Sequence, residues 1–203
     1  MSYKELKAKW DKLTSGWFGL LIYIFVGYVV AFGAITLSGI VLQTDTPIVS
    51  VFSCSMEHTS NSLCELSPQP TSPNYICGQN ALNYDNSFGS YWKTCGSWYA
   101  DRGYTQENFR KWIFPDGFSV GDMLIVQRGD YKVGDIVVYT SPMGYPIIHR
   151  VVKVEGDTLI VKGDRNPVAD QPISKNLVHG KAVFLFPLLG WVKLGFSMIT
   201  GIV

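Results

Sequence analysis

Charge is scarce in this 203-residue chain. Asp, Glu, Lys and Arg make up 16% of it, whereas about 25% is typical of soluble domains. The 17 basic and 16 acidic residues nearly cancel, so no net field favours a polyanionic partner, and nucleic-acid binding is not expected. Histidine is rare as well, with three residues. The length suits one ordinary domain plus a small accessory element.

The shortage of charge is most marked near the N-terminus, where residues 13–44 carry no charged side chain. The apolar residues 17–42 would span roughly 39 Å as a helix, which exceeds the roughly 30 Å hydrocarbon core of a bilayer. A cleavable signal peptide has an apolar region of only about 7–15 residues. A buried core helix of this length would rarely lack a polar face. We therefore predict a transmembrane helix over 17–42.

Charges on either side of this helix predict its orientation. Lysines outnumber acidic residues in the segment 1–16, and the first charge beyond the helix is Asp45. The positive-inside rule then makes 1–16 cytoplasmic and everything after about residue 45 non-cytoplasmic. The lipid bilayer is thus a predicted partner. The predicted location is the cell membrane, or the endoplasmic-reticulum membrane in a eukaryote.

The four cysteines contain no C-x-x-C pair, which makes a structural zinc site the weaker alternative. Outside the cytoplasm, disulfides are plausible. Cys64, Cys77 and Cys95 form the natural pool, and one of them either stays free or pairs with Cys54. The connectivity stays open.

Short apolar runs dominate the chain beyond the helix. Residues 46–56 are predicted to form a strand that runs into a turn. From residue 117, five runs rich in Val, Ile and Leu follow one another, separated by Gly, Asp or Pro: MLIVQR, DIVVYT, PIIHRVVKVEG, TLIVKGD and KAVFLFP. Their spacing, with no helical pattern between them, predicts a mainly β core over 46–57 and 116–187, folded as an antiparallel barrel or sandwich.

Two segments lie outside this predicted core. Residues 58–115 are rich in Ser, Asn, Pro, Gly and aromatic residues with little periodicity, and we expect an inserted, mostly irregular, Cys-containing subdomain. Residues 188–203 are apolar but interrupted by Gly190 and Lys193. They are expected to lie on the membrane or to span it.

Serine chemistry needs a base, because a serine hydroxyl is a poor nucleophile on its own. Ser55 follows the first predicted strand, and His149 stands inside an apolar one, although a buried structural histidine is the simpler explanation for His149 taken alone. We expect His58 to be an exposed loop residue and His179 a turn residue. Asp164 and Asp170 are both candidates to orient the base; they could equally balance nearby arginines.

Five motifs in this order resemble the conserved boxes of the type I signal peptidases. They are SCSME at 53–57, VGDMLIV at 120–126 with VGDIVVY at 133–139, IHRVV at 148–152, KGDRN at 162–166 followed by Asp170, and GK at 180–181 with PLLG at 187–190. The bacterial branch has lysine at the base position, where this chain has His149. The resemblance is therefore to the archaeal and endoplasmic-reticulum branch, and it covers about residues 15–57 and 116–195.

The resemblance implies a signal-peptidase-like antiparallel β fold and a role for each matched residue. Ser55 would be the nucleophile and His149 the general base, with Asp170 or Asp164 beside it. The Ser53 hydroxyl and the Ser55 N–H would form the oxyanion hole, and Met56 would lie by the substrate-binding S1 site. The substrates would be signal-peptide-bearing preproteins; no metal or other cofactor is implied, and accessory subunits stay open.

Two differences from the family pattern leave alternative functions open. His58 occupies a place where the family usually has proline, and the 58–115 insert is unmatched. Self-cleaving transcriptional repressors use a related β fold, but they are soluble and carry a DNA-binding region. A non-catalytic, membrane-anchored module that binds a partner through the insert is the main rival. A thiol protease using Cys54 is a weaker one.

Overall fold

The computed structural model describes residues 2–60, 64, 75–80 and 84–200. The chain forms two compact units, Met1–Val41 and Leu42–Val203. In the first unit, helix α1 (Tyr3–Leu13) starts at a capping box between Ser2 and Glu5. Helix α2 (Gly16–Leu42) follows after a break at which Gly16 has a φ of +68°, a conformation that glycine adopts without steric cost.

Helix α2 confirms the expected apolar helix. It has 27 residues and no charged side chain, and it is the one helix of the described chain that is long and apolar enough to cross a membrane. Its large side chains are exposed, with Phe18, Phe25 and Phe32 at 61–67%. A helix that packed inside a soluble core would bury them. By length and composition, α2 could be a membrane anchor or a signal sequence.

The second unit is built on a seven-stranded antiparallel sheet, which confirms a mainly β core. Its strands are β1 (Ile48–Ser50), β4 (Met123–Gln127), β5 (Ile136–Thr140), β6 (Pro146–Glu155), β7 (Thr158–Lys162), β8 (Ile173–Ser174) and β9 (Val178–Phe186). Their order in the sheet is β1-β4-β9-β5-β6-β7-β8, so β1 and β8 are the edge strands.

All five apolar runs predicted as strands lie in this sheet. Buried and half-buried positions alternate along β4, as expected for a strand with one face in the core. The β5 run is buried at four successive positions, Ile136–Tyr139. The Gly156-Asp157 pair forms the tight turn between β6 and β7. The Gly-Asp pair in the sequence thus correctly indicated this turn.

The described residues of the inserted segment include regular elements as well as irregular chain. The segment contains helix α3 (Phe88–Ala100), helix α4 (Gln106–Arg110) and a hairpin of β2 (Tyr75–Ile76) with β3 (Gln79–Asn80). Tyr91, Tyr99 and Phe109 are fully buried in an aromatic cluster that also includes Val152 of β6. The aromatic residues that looked like loop composition are the core of the insert.

The cysteines form two disulfides, Cys54–Cys64 and Cys77–Cys95, and none is free. The open pairing is therefore resolved, with Cys54 bonded to the first cysteine of the insert. This also contradicts a Cys54 thiol nucleophile, because a sulfur held in a disulfide has no thiolate to offer.

The C-terminal segment forms a helix that packs partly on the core. Helix α5 (Trp191–Thr200) has 10 residues and is about 15 Å long, half the thickness of a bilayer core. Leu194 is buried beside the Cys54–Cys64 disulfide and Val120. A single helix that spans the membrane is therefore not formed by the described part of this segment.

Candidate active site

Ser55 lies in a tight turn that follows β1 after the short segment 51–54. The Glu57 N–H donates to the Cys54 carbonyl at 3.0 Å, and the Phe118 N–H donates to the Met56 carbonyl at 3.2 Å. Cys54 and Met56 are buried, whereas the serines on either side of Cys54 are half-exposed. Ser53 Oγ and Ser55 Oγ are 3.2 Å apart and share a hydrogen bond. The buried residues fix the turn from inside and leave both hydroxyls accessible.

His149 and Asp170 form the second part of the site. His149 lies in β6 opposite Val137 of β5, and its Nδ1 hydrogen bonds to Asp170 Oδ2. The Tyr139 hydroxyl donates to the same carboxylate oxygen at 2.8 Å. Burial opposes the ionisation of Asp170, but the bonds from His149 and Tyr139 outweigh it, so the pKa of Asp170 lies below its usual value. An ionised Asp170 thus orients the imidazole.

The Ser55 turn and the His149 ring approach the same short turn, residues 163–165. A Cβ added to Gly163 would lie 2.7 Å from His149 Nε2. Two residues later, the Arg165 N–H donates to the Ser55 carbonyl at 2.8 Å. Within the described residues, no hydrogen bond joins Ser55 Oγ to His149. Catalytic hydrogen bonds are often long in the absence of substrate, so this geometry brings the two groups to one turn without joining them.

Asp164 has a different environment from Asp170. It is fully buried and accepts hydrogen bonds from Arg150 Nη2 at 2.7 Å and Arg150 Nε at 2.9 Å. Tyr99 donates to it at 3.1 Å and His58 at 2.9 Å. Burial disfavours its charge, but Arg150 and His58 overcome this, and the pKa of Asp164 lies well below its usual range. Of the two candidate carboxylates, Asp170 contacts the imidazole of His149.

Three residues lie where the sequence did not lead us to expect them. His58, expected to be exposed, is only 3% exposed. His179, expected in a turn, lies in β9 with its Nε2 2.8 Å from Thr140 Oγ1. Met56 is only 1% exposed and belongs to a core cluster with Val51 and Phe118. The expected place of Met56 by the S1 site stays a prediction.

No local signal could have predicted the burial of His58, since its partner Asp164 is 106 positions away. The ring stacks on Tyr91 at 3.6 Å between centroids, and Tyr91 is part of the unmatched insert. The one available hint was the replacement of the expected proline. Proline restricts the backbone by itself, so its loss calls for another way to hold the turn.

The burial of His58 predicts a pH dependence of folding stability. Burial lowers the pKa of His58 below 6.5, although Asp164 and Glu57 pull it upward. As the pH falls through 6.5, the unfolded chain takes up a proton that the folded chain does not, so stability present above pH 6.5 is lost below it. We expect the free energy of unfolding of the wild type to fall by up to about 1.4 kcal/mol per pH unit more than that of His58→Gln.

Urea unfolding in detergent at pH 7.5, 6.5 and 5.5 would measure this difference (about one pH unit apart, so that each step is resolved). Glutamine does not titrate, and it retains a donor for Asp164. Equal slopes for the two proteins would show that the pKa of His58 is the same in the folded and unfolded states, and a slope of opposite sign would show that His58 is charged in the folded state.

Among the described residues, no group of three or more His, Cys, Asp or Glu side chains is arranged to hold a metal ion. No family model, curated protein or solved structure matches this chain. A function can therefore be inferred only from the side-chain geometry around Ser55 and His149.

Proposed function

We propose that this chain is a membrane-bound serine endopeptidase of the type I signal peptidase kind, which removes signal peptides from exported preproteins. The observation that carries the proposal is the approach of the Ser55 turn and the Asp170-oriented His149 to the single turn at 163–165. A half-exposed serine and an oriented imidazole that approach one turn are the groups that acyl transfer requires.

The reaction begins with the removal of the Ser55 proton. Ser55 Oγ attacks the scissile carbonyl, and His149 Nε2 takes the hydroxyl proton while its Nδ1–H stays bonded to Asp170. His149 then donates this proton to the leaving amine. Water next attacks the acyl-enzyme, again with His149 as the base, and its proton returns to Ser55. The ionised Asp170 stabilises the imidazolium in both steps.

A change of partner for Ser55 prepares this reaction. The Ser55 hydroxyl is hydrogen-bonded to the Ser53 hydroxyl. In the proposed mechanism, the Ser55 side chain rotates from Ser53 toward His149 when the substrate binds. The same movement frees the Ser53 hydroxyl to donate, with the Ser55 N–H, to the oxyanion of the tetrahedral intermediate. Removing one such donor typically costs about 10²–10³ in rate.

The sheet offers a place for an extended substrate. β1 lies at one end of the sheet order, with β4 as its partner, and the short segment 51–54 connects it to the Ser55 turn. A peptide that adds to such an edge gains main-chain hydrogen bonds that set its register. The small residues before a signal-peptide cleavage site (A-x-A-like) would then enter shallow pockets.

Helix α2 fits this function as a membrane anchor. A preprotein presents its cleavage site next to an apolar segment that lies in the bilayer. An anchored enzyme shares that surface with its substrate, which raises their effective concentration. In the proposed topology, the second unit lies on the non-cytoplasmic side, because lysines dominate residues 1–16.

Active-site labelling tests the proposal without knowledge of the natural substrate. A fluorophosphonate is expected to form one covalent adduct per chain on Ser55, because the phosphorus mimics the tetrahedral carbon and His149 is the base that the proposed mechanism assigns to Ser55. Peptide mapping by mass spectrometry locates the adduct. A chain in which Ser55 stays unmodified, and which still captures a protein partner through residues 58–115, would support the non-catalytic binding module instead.

A further inference from the structure

His58 joins the nucleophile turn to the buried Asp164. It stands three residues after Ser55, and its Nε2–H donates to Asp164 Oδ2 at 2.9 Å. One face of the ring stacks on Tyr91 with an interplanar angle of 3°. Gly117 makes room for the ring, because a Cβ there would lie 2.7 Å from a His58 ring carbon. The side chain is therefore held by a hydrogen bond, a stacked ring and a close backbone approach.

Asp164 in turn connects to both parts of the candidate site. Its own N–H contacts Met56 Sδ at 3.4 Å, in the residue after Ser55. The next residue, Arg165, donates its N–H to the Ser55 carbonyl at 2.8 Å. The preceding residue, Gly163, lies against His149 Nε2. A shift of the Asp164 turn would thus move the nucleophile relative to its base.

The insert completes this arrangement from the other side. The Tyr99 hydroxyl donates to Asp164 Oδ1, and the Tyr91 hydroxyl donates to the Asp164 carbonyl, both at 3.1 Å. Arg150, which neutralises Asp164, donates to the carbonyls of Ile113 and Phe114 at 2.7 and 3.0 Å. The insert is therefore part of the wall that fixes the Asp164 turn.

We propose that His58 is a positioning residue for the Ser55 nucleophile, and that it acts by tying the Ser55 turn to the Asp164 turn through a buried hydrogen bond. This inference rests on the proposed peptidase function. In the resembled family a proline usually stands at this place and restricts the backbone locally. Here the hydrogen bond between His58 and Asp164, which is supported by the insert, restricts the Ser55 turn instead.

The expected consequence is a loss in turnover with little change in substrate affinity. The Nε2 of His58 is engaged by Asp164 and the side chain is buried, so the proposal gives it no part in proton transfer. A misplacement of about 1 Å at a reacting group can cost about 10²-fold in rate. Binding of an extended peptide at the sheet edge would be unaffected.

Two nearly isosteric variants separate positioning from packing. His58→Met removes the donor to Asp164, whereas His58→Gln keeps a donor of similar reach. We expect His58→Met to lower kcat by about 10²-fold with KM within about twofold. His58→Gln is expected to recover most of that loss. The measurements are preprotein cleavage and the rate of fluorophosphonate reaction with Ser55, both well below the unfolding temperature of each variant.

A matched control is His179→Met, since His179 also forms one side-chain hydrogen bond, to Thr140; its turnover is expected to stay near that of the wild type. If His58→Met does not fold, His58→Phe replaces it, because phenylalanine keeps the stack on Tyr91 and removes only the donor. Wild-type kcat in a folded variant without the donor would overturn the inference, as would an equal loss in His58→Gln. A wild type that neither cleaves nor reacts at Ser55 would instead overturn the peptidase function itself.

Discussion

Alanine at position 55 is expected to lower the turnover of a preprotein in detergent by about 10⁶-fold, and alanine at position 149 by a similar factor. Without the Ser55 hydroxyl no acyl-enzyme forms. Without the His149 imidazole the hydroxyl keeps its proton. Because the two side chains act as a unit, the double variant should lose little more than either single one.

Ser53→Ala is the graded comparison for this experiment, since it removes a hydroxyl only 3.2 Å from the Ser55 hydroxyl. It should cost about 10²–10³-fold, the usual effect of one oxyanion-hole donor. Cleavage is followed by the appearance of the mature product. Turnover by Ser55→Ala within tenfold of the wild type would rule out Ser55 as the nucleophile.

Asparagine at position 170 should reduce kcat by about 10⁴-fold while the chain stays folded. The carboxylate accepts from His149 Nδ1 and from the Tyr139 hydroxyl at the same oxygen. An asparagine amide cannot stabilise an imidazolium, and its NH₂ group favours the wrong imidazole tautomer. The base would then be held with its proton on Nε2, the nitrogen that accepts the Ser55 proton in the proposed mechanism.

Tyr139→Phe provides the control for Asp170→Asn. It removes the second hydrogen bond to Asp170 and keeps the pair with His149, so a loss of less than about tenfold is expected. The kcat values of both variants should be measured alongside their unfolding temperatures. If Asp170→Asn proves less harmful than Tyr139→Phe, Asp170 does not orient the base.

The sheet could be predicted from the sequence because each of its strands and turns is specified by residues that are close together along the chain. Runs such as DIVVYT combine β-branched residues with a Gly-Asp turn signal, and neither depends on distant contacts. The apolar helix α2 is equally local. In the strands and in helix α2, the local amino-acid composition agrees with the structure that forms.

Helix α3 could not be predicted in this way. Its sequence, FGSYWKTCGSWYA, contains glycine, serine and aromatic residues with modest helix propensity. The helix is stabilised by burial of Tyr91, Cys95 and Tyr99 in the aromatic cluster. Tertiary packing thus overrides local propensity, and no short window of sequence contains that information.

The candidate site could be predicted only in part from the sequence. Ser55, His149 and two carboxylates could be identified from motifs, but the choice between the carboxylates depends on geometry. Asp170 is held by its N–H, which donates to the Val161 carbonyl at 2.9 Å and sets it beside His149. The two carboxylates are six residues apart in one segment, so spacing along the chain could not separate a charge facing the imidazole from one facing Arg150.

The partners of Asp164 also limit how this chain could be engineered. Its hydrogen bonds come from His58, Tyr99 and Arg150, so excision of residues 58–115 would leave a buried carboxylate short of donors and a guanidinium short of two carbonyls. Unsatisfied buried groups of this kind destabilise a fold severely. A shortened scaffold would need replacement donors designed at the cut, whereas the exposed turn at Gly144 is the natural place to graft a tag.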